Sequence, residues 1–182
     1  VGFSGRIYNN NNESKYINSQ ESIIFKKGEL LYNYHNALEY SKKEKSVIVV
    51  EGFMDVIALY KIGICNVVAT MGTAITKEQA LLIKKLSPNI ILCFDGDKAG
   101  EDATILAIKE FEKLGIKPKI IRLPDDLDPD DYIKKYGDKY FKNHFENSLN
   151  ILDFKLLVEK KNINFSDANQ VSKYIRNVVK EI

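Results

Sequence analysis

Tryptophan is absent from the 182 residues, and cysteine, histidine and proline are scarce at two, two and four. Cys65 and Cys93 lie far apart, beside apolar strand-like runs and without a Cys-x-x-Cys partner. That excludes a disulfide framework or thiolate zinc site and predicts two reduced core thiols. His35 and His144 stand in no ligand pattern, so no imidazole cage is available either. Arginine is limited to Arg6, Arg122 and Arg176, which leaves the basic charge almost wholly to lysine. A net charge of +2 is too small to argue for nucleic acid by itself. No apolar run approaches the ~20 residues of a membrane span, and no leader pattern opens the chain. These absences predict a cytoplasmic protein with no membrane partner. Val1 in place of an initiator methionine predicts a piece of a longer protein.

What is present describes a folded domain. Hydrophobic residues make up 45% and charged residues 29%, the balance of a globular protein. The length suits one domain with a substantial core plus a smaller appendage.

The chain is organised around Ser46 to Asp55. Val47 to Val50 is an unbroken β-branched run, as expected of a strand buried on both faces of a parallel sheet. It stops on Glu51, then Gly52, and a helical pattern follows with Asp55 in its first turn. Strand, acid, glycine, helix places Glu51 at the carboxyl edge of a sheet, where open α/β folds bind ligands.

Ahead of it, Val1 to Tyr8 reads as a short strand and Asn9 to Asn12 as a solvated loop. Lys15 to Ser19 and Ile23 to Lys27 offer further extended pieces. Gly28 to Lys45 has helical spacing. After it, strands are expected at 66–70, 90–94 and 120–123, separated by helices. One helix starts at Thr76 as N-cap with Gln79 at the capping-box position. Another runs to about Leu114 with Ala103, Leu106, Ala107, Phe111 and Leu114 inward. Such alternation predicts a parallel sheet with helices on both faces. Past the acidic loop Pro124 to Asp131 only helical patterns remain, including Val171, Ile175 and Val178 after an N-cap at Ser166.

Three acidic groups fall at one sheet edge: Glu51, then Asp95 and Asp97, then Asp128 and Asp130. If the strands before Glu51 and Asp95 are neighbours, these two acids face each other at the switch point. Crowded carboxylates raise one another's pKa, a cost that a divalent cation removes. Mg²⁺ suits an all-oxygen site that keeps waters and meets phosphate, and nothing soft is offered for zinc. Two plainer readings stand beside this one. Asp95-Gly96-Asp97 is also ordinary turn chemistry, and Asp128-Pro129 is also an N-cap with proline at N1.

Glu51-Gly52 with Asp55, Asp95-x-Asp97-x-x-Gly100 and Asp128-Pro129-Asp130 resemble the three acidic motifs of the Toprim domain, a Rossmann-like fold. Ahead of them, Gly2-Phe3-Ser4-Gly5-Arg6, Lys15-Tyr16-Ile17-Asn18-Ser19 and Phe25-Lys26-Lys27-Gly28 resemble the segment before that domain in the RNA-polymerase core of bacterial DNA primase. Gln20, Lys26 and Glu29 depart from residues common at their places. The resemblance implies an α/β architecture in three parts. Residues 1–45 end a mixed α/β subdomain, 46–136 form the Toprim domain, and 137–182 begin a helical subdomain.

It further implies a nucleotidyltransferase that makes RNA primers for replication. Glu51, Asp95 and Asp97 would be catalytic, and those three with Asp128 and Asp130 would hold Mg²⁺, for which Mn²⁺ substitutes. Asp55 would be a supporting acid, and Arg6, Lys15, Lys27 and Lys98 would contact nucleotide or template. The implied partners are single-stranded DNA, ribonucleoside triphosphates and, through a carboxy-terminal region outside this chain, a replicative helicase. Zinc belongs to an amino-terminal domain also outside it. Residues 1–182 alone are expected to bind metal and nucleotide but to prime poorly. A Toprim nuclease, a topoisomerase and a non-catalytic Mg²⁺-binding domain are the alternatives.

Overall fold

The computed structural model describes residues 2–6, 16–72, 74–161 and 163–181, with residues 4, 6, 16–18, 180 and 181 described by their backbone alone. The expected Asn9 to Asn12 loop and Lys15 lie outside the described residues. Ser4–Arg6 (β1) pairs antiparallel with Tyr16–Asn18 (β2). The expected strand at 23–27 does not form. Ser22 and Phe25 instead close a tight turn on each other, followed by a single 3-10 turn at Lys27–Glu29.

The helix expected from Gly28 begins only at Tyr34 (α1, Tyr34–Glu44), because the chain ahead of it is used elsewhere. Tyr32 bridges antiparallel to Ala69, and Asn33 takes a left-handed conformation at φ 66°.

The central sheet follows the sequence closely. Its strands are β3 (Val47–Val50), β4 (Val67–Ala69), β5 (Ile90–Leu92) and β6 (Lys119–Ile120), all parallel in the order β4-β3-β5-β6. The connecting helices are α2 (Phe53–Lys61), α3 (Lys77–Leu86) and α4 (Lys98–Lys113). Beyond β6 come α5 (Pro129–Tyr136), α6 (Asp138–Glu146), α7 (Ile151–Lys161) and α8 (Ala168–Glu181).

Alternation along each strand divides the core in two. Val47 and Val49 face a layer of α1, α3, α4 and α7, where Phe111 and Phe154 are buried. Ile48 and Val50 face α2, α5 and α6, where Leu59 and Phe141 are buried. Both faces of the sheet are thus covered, which is why the strand residues are continuously apolar. Cys65 and Cys93 are free thiols.

Three further helical expectations change. Leu106 is 50% exposed, because the buried side of α4 runs through Gly100, Thr104, Ala107, Ile108 and Phe111 and takes in Glu101. The cap of α8 is Asp167, not Ser166, since its carboxylate accepts the Asn169 and Gln170 backbone N–H groups. Ile175 is 55% exposed on that helix. No helix among the described residues is long and apolar enough to cross a membrane.

Candidate functional site

Parallel pairing of β3 with β5 sets Val49 opposite Leu92, so both strands release their chains at the same edge. Glu51 and Asp95 leave that edge side by side. The Glu51 Oε1 accepts the Asp95 backbone N–H at 3.2 Å. The condition set for their meeting, that these two strands be neighbours, is met by the β3–β5 pairing.

The loop after β5 follows a path that only glycine permits at two points. A Cβ on Gly100 would stand 2.1 Å from the Asp95 carbonyl oxygen, and one on Gly96 would stand 2.6 Å from that of Leu123. The Gly96 N–H donates to the Leu127 carbonyl at 3.0 Å, which lays the loop after β5 against the loop after β6. Asp97 caps α4 by accepting the Gly100 N–H at 2.8 Å, and Asp128 caps α5 by accepting the Asp131 N–H at 2.6 Å. The N-cap reading of Asp128-Pro129 therefore holds, while Asp97 acts as a helix cap in place of the expected turn, and both acids stand at the edge.

Asp55 joins the two halves. It is only 5% exposed, with Oδ2 accepting the Gly52 N–H at 3.0 Å and Oδ1 accepting the Asp130 N–H at 3.3 Å. Asp130 itself pairs with Lys134 at 2.7 Å.

These carboxylates act on one another. Burial, followed by the charges of Glu51, Asp55, Asp128 and Asp97, pushes Asp95 up to about 7. Burial and then the charge of Asp128 push Asp55 to about 7. Burial first also raises Glu51 and Asp128. No described residue donates a hydrogen bond to the Asp95 carboxyl group to offset this.

Among the described residues, no three His, Cys, Asp or Glu side chains are gathered closely enough to hold a metal ion as they stand. Glu51, Asp97 and Asp128 each spend an oxygen on a backbone N–H, and Asp130 spends one on Lys134. The donor set nonetheless fits a hard divalent cation. It is all carboxylate, burial and acidic neighbours push Asp55 and Asp95 up, and an ion such as Mg²⁺ binds through one or two carboxylates while keeping waters.

A pH dependence follows from the raised acids. Asp55 and Asp95 sit near 7 when folded, against an ordinary 3.8. Between those values the folded protein holds more protons than the unfolded chain, so stability is present at low pH and lost as pH rises through about 7. Melting in chelator should show Tm falling by about 3–8 °C between pH 5 and pH 8, a few kcal/mol after allowance for solvent screening. Asp95→Asn should flatten that fall. A Tm that rises steadily over the range would refute the crowding.

Arg6 lies in β1, described by its backbone alone, and Lys15 lies outside the described residues. Lys27 sits at the 3-10 turn, half-buried. Lys98 opens α4 and pairs with Asp102 at 2.9 Å on the surface.

The sequence reading missed Glu101. It is 3% exposed and accepts from Arg122 at 2.9 Å and from Lys161 at 3.3 Å. This ties the start of α4 to the end of β6 and to α7. The available clue was an acid one residue after an obligatory glycine, on the apolar side of the helix.

Comparison with known proteins adds the following. A family model described as Toprim-like matches residues 48–133, and one described as the DNA primase catalytic core, N-terminal domain, matches residues 1–38. The chain is 40% identical over 183 residues to a DNA primase of Halalkalibacterium halodurans, covering 100% of this chain and 30% of that protein. It is 38% identical over 178 residues to one of Clostridium acetobutylicum, covering 98% of this chain and 30% of that one. It therefore spans about a third of the length of these curated relatives.

Among solved structures, the Aquifex aeolicus primase with its zinc-binding and RNA polymerase domains superposes with a TM-score of 0.78. It is 34% identical, over 100% of this chain and 44% of that one. The RNA polymerase domain of Mycobacterium tuberculosis primase with double-stranded DNA gives a TM-score of 0.81 at 27% identity, over 98% and 59%. A DnaG primase catalytic domain bound to single-stranded DNA gives 0.77 at 33% identity, over 95% and 55%.

Proposed function

The chain belongs to the bacterial DNA primase family, and on that premise we propose that it carries the acidic centre at which ribonucleotides are joined on a DNA template to make replication primers. The observation that carries this reading is the meeting of Glu51 and Asp95 at the β3–β5 edge, among carboxylates with little positive charge to balance them.

The reaction is attack of a 3′-hydroxyl on the α-phosphate of a ribonucleoside triphosphate. A phosphorus–oxygen bond forms, the bond to the bridging oxygen breaks, and pyrophosphate leaves. Mg²⁺, or Mn²⁺ in its place, held by Glu51, Asp95, Asp97, Asp128 and Asp130, would neutralise charge on the phosphate oxygens. Glu51, with one oxygen fixed on the Asp95 N–H, serves with the other as ligand or as acceptor of the hydroxyl proton. Asp55 is a supporting acid that holds the starts of α2 and α5 together. Arg6, Lys15, Lys27 and Lys98 take phosphate or template.

In domain terms, residues 46–136 carry the acids, 1–45 bring the basic segment, and 137–182 begin a helical part. Single-stranded DNA and ribonucleoside triphosphates are the substrates. Helicase contact and zinc belong to regions outside these residues.

The readings as a nuclease, a topoisomerase or a non-catalytic Mg²⁺-binding domain would need the same acids but give no reason for the match of residues 1–38 to a primase amino-terminal domain. The full-length protein with labelled ribonucleotides, single-stranded template and Mg²⁺ tests the choice. Template-dependent incorporation, lost in chelator and weakened by salt, is expected. Strand cleavage without incorporation, or Mg²⁺ binding without turnover, would overturn it.

A further inference from the structure

Gln79 is the most deeply buried amide side chain of the sheet unit, at 0% exposure. Its Oε1 accepts the Thr76 N–H at 3.2 Å, while Thr76 Oγ1 accepts the Gln79 N–H at 3.1 Å, a complete capping box. Capping uses only the oxygen of the amide. The Nε2 reaches a different part of the chain and donates to the carbonyls of Lys27 and Leu30, both at 2.9 Å. The Thr76 hydroxyl donates to the Gly28 carbonyl in the same turn. Three carbonyls of the segment 27–30 are therefore pinned by the first turn of α3, across some fifty residues of sequence.

The pinned turn lies at the acidic edge. Tyr32, just beyond it, pairs with Ala69, and Ala69 is in register with Val50, the residue before Glu51. Contact is close, since a Cβ on Gly28 would stand 3.1 Å from the Thr76 methyl group. Of the two lysines on the turn, Lys26 is paired with Glu29 at 3.0 Å. Lys27 has its backbone N–H held by Glu21 at 3.1 Å and forms no ion pair with a described residue.

We propose that Gln79 and Thr76 are positioning residues for phosphate recognition, fixing Lys27 beside the carboxylate edge so that one cation meets the nucleic-acid backbone there. This rests on the reading of Lys27 as a phosphate contact. The capping box sets the start of α3, and its spare donors set where the basic turn sits relative to the acids.

The test uses the full-length protein and a fluorescent single-stranded oligonucleotide, with binding followed by anisotropy over a salt series and extension measured in parallel. Gln79→Glu keeps shape and the capping oxygen but turns an acceptor toward two carbonyls. It should weaken template binding about 5–10-fold at low salt and make the log K against log salt slope shallower by about 0.7, the value of one single-strand phosphate. The extension kcat at saturating template should stay within about twofold. Lys27→Ala should match this weakening of template binding and this change of slope, and the double variant should be no worse than either in both, as for residues acting in one unit. Should Gln79→Glu fail to fold, Thr76→Val gives the same reading, with Thr76→Ser restoring wild-type binding and slope. Multiplying defects in the double variant, or an unchanged slope in the folded Gln79 or Thr76 variant beside a changed one in Lys27→Ala, would overturn the positioning role alone. An unchanged slope in Lys27→Ala would remove the phosphate reading and this inference with it.

Discussion

Glu51→Gln and Asp95→Asn are each expected to cut primer extension by about two to three orders of magnitude while leaving the metal-free fold as stable as before or slightly more so. The loss of rate is what removal of one charge-stabilising group from a preorganised site produces. The sparing of the fold follows from the contacts. Glutamine keeps an oxygen for the Asp95 N–H that Glu51 now accepts at 3.2 Å. No described residue donates to the Asp95 carboxyl group, so asparagine gives up no hydrogen bond among them and removes one like charge from Glu51, Asp55, Asp128 and Asp97. Extension on a single-stranded template and thermal melting with and without Mg²⁺ read both halves on one preparation. Mg²⁺ should raise the wild-type Tm more than that of either variant, because a cation has most to offer where the repulsion is intact. Extension at the wild-type rate by Glu51→Gln would end the catalytic reading.

Arg122→Met should be the most damaging change to stability among the charged residues, at about 3 kcal/mol or more. Glu101 is buried on the inner side of α4, and Arg122 meets it with two nitrogens, at 2.9 and 3.3 Å. Methionine would fill much the same space but leave a buried carboxylate to Lys161, whose side chain is 48% exposed and stands at 3.3 Å. A fall in Tm of about 6–12 °C corresponds to that cost for a protein of this size. Adding Glu101→Leu to Arg122→Met should return most of the loss, because removing both partners of a buried pair is far cheaper than removing one. A loss below about 1 kcal/mol in denaturant unfolding of Arg122→Met would show the pair to be solvated.

Several elements were legible in the sequence because their causes are local. Val47 to Val50 can be nothing but a buried strand, and Thr76 with Gln79 spells its own helix start. Glu51 and Asp95 could be set side by side because doubly wound sheets reverse their order between such strands. What stayed hidden depends on partners distant in the chain. Helical spacing after Gly28 is real, but Tyr32 is drawn into pairing with Ala69, and the helix waits until Tyr34. Apolar spacing with Ala103, Ala107, Phe111 and Leu114 sets Leu106 inward, yet it is exposed while a charged residue takes a core position. That residue is Glu101, since Arg122 and Lys161 come to it from 21 and 60 residues away. At the candidate site, the gathering of Glu51, Asp95 and Asp128 at one sheet edge follows from strands that end in acids. Their division of labour, one oxygen on a backbone N–H and the other free, depends on loop paths that only the folded chain reveals.

Among the described residues, each edge of the parallel sheet is met by backbone from a flanking segment. At the β4 edge Tyr32 exchanges two hydrogen bonds with Ala69, at 2.9 and 3.2 Å, and the Asn33 amide donates to the Val67 carbonyl. At the β6 edge Leu149 exchanges two with Ile120, at 2.9 and 2.8 Å. Each bolt is drawn from outside the acid-bearing stretch, Tyr32 and Asn33 from before it and Leu149 from after. A piece trimmed to the 48–133 core would keep every carboxylate yet bare two short apolar strand edges, templates for pairing with other molecules of itself. The flanking segments therefore also act as guards against self-association, and the minimal unit that stays dispersed in solution is longer than the minimal unit that carries the acids.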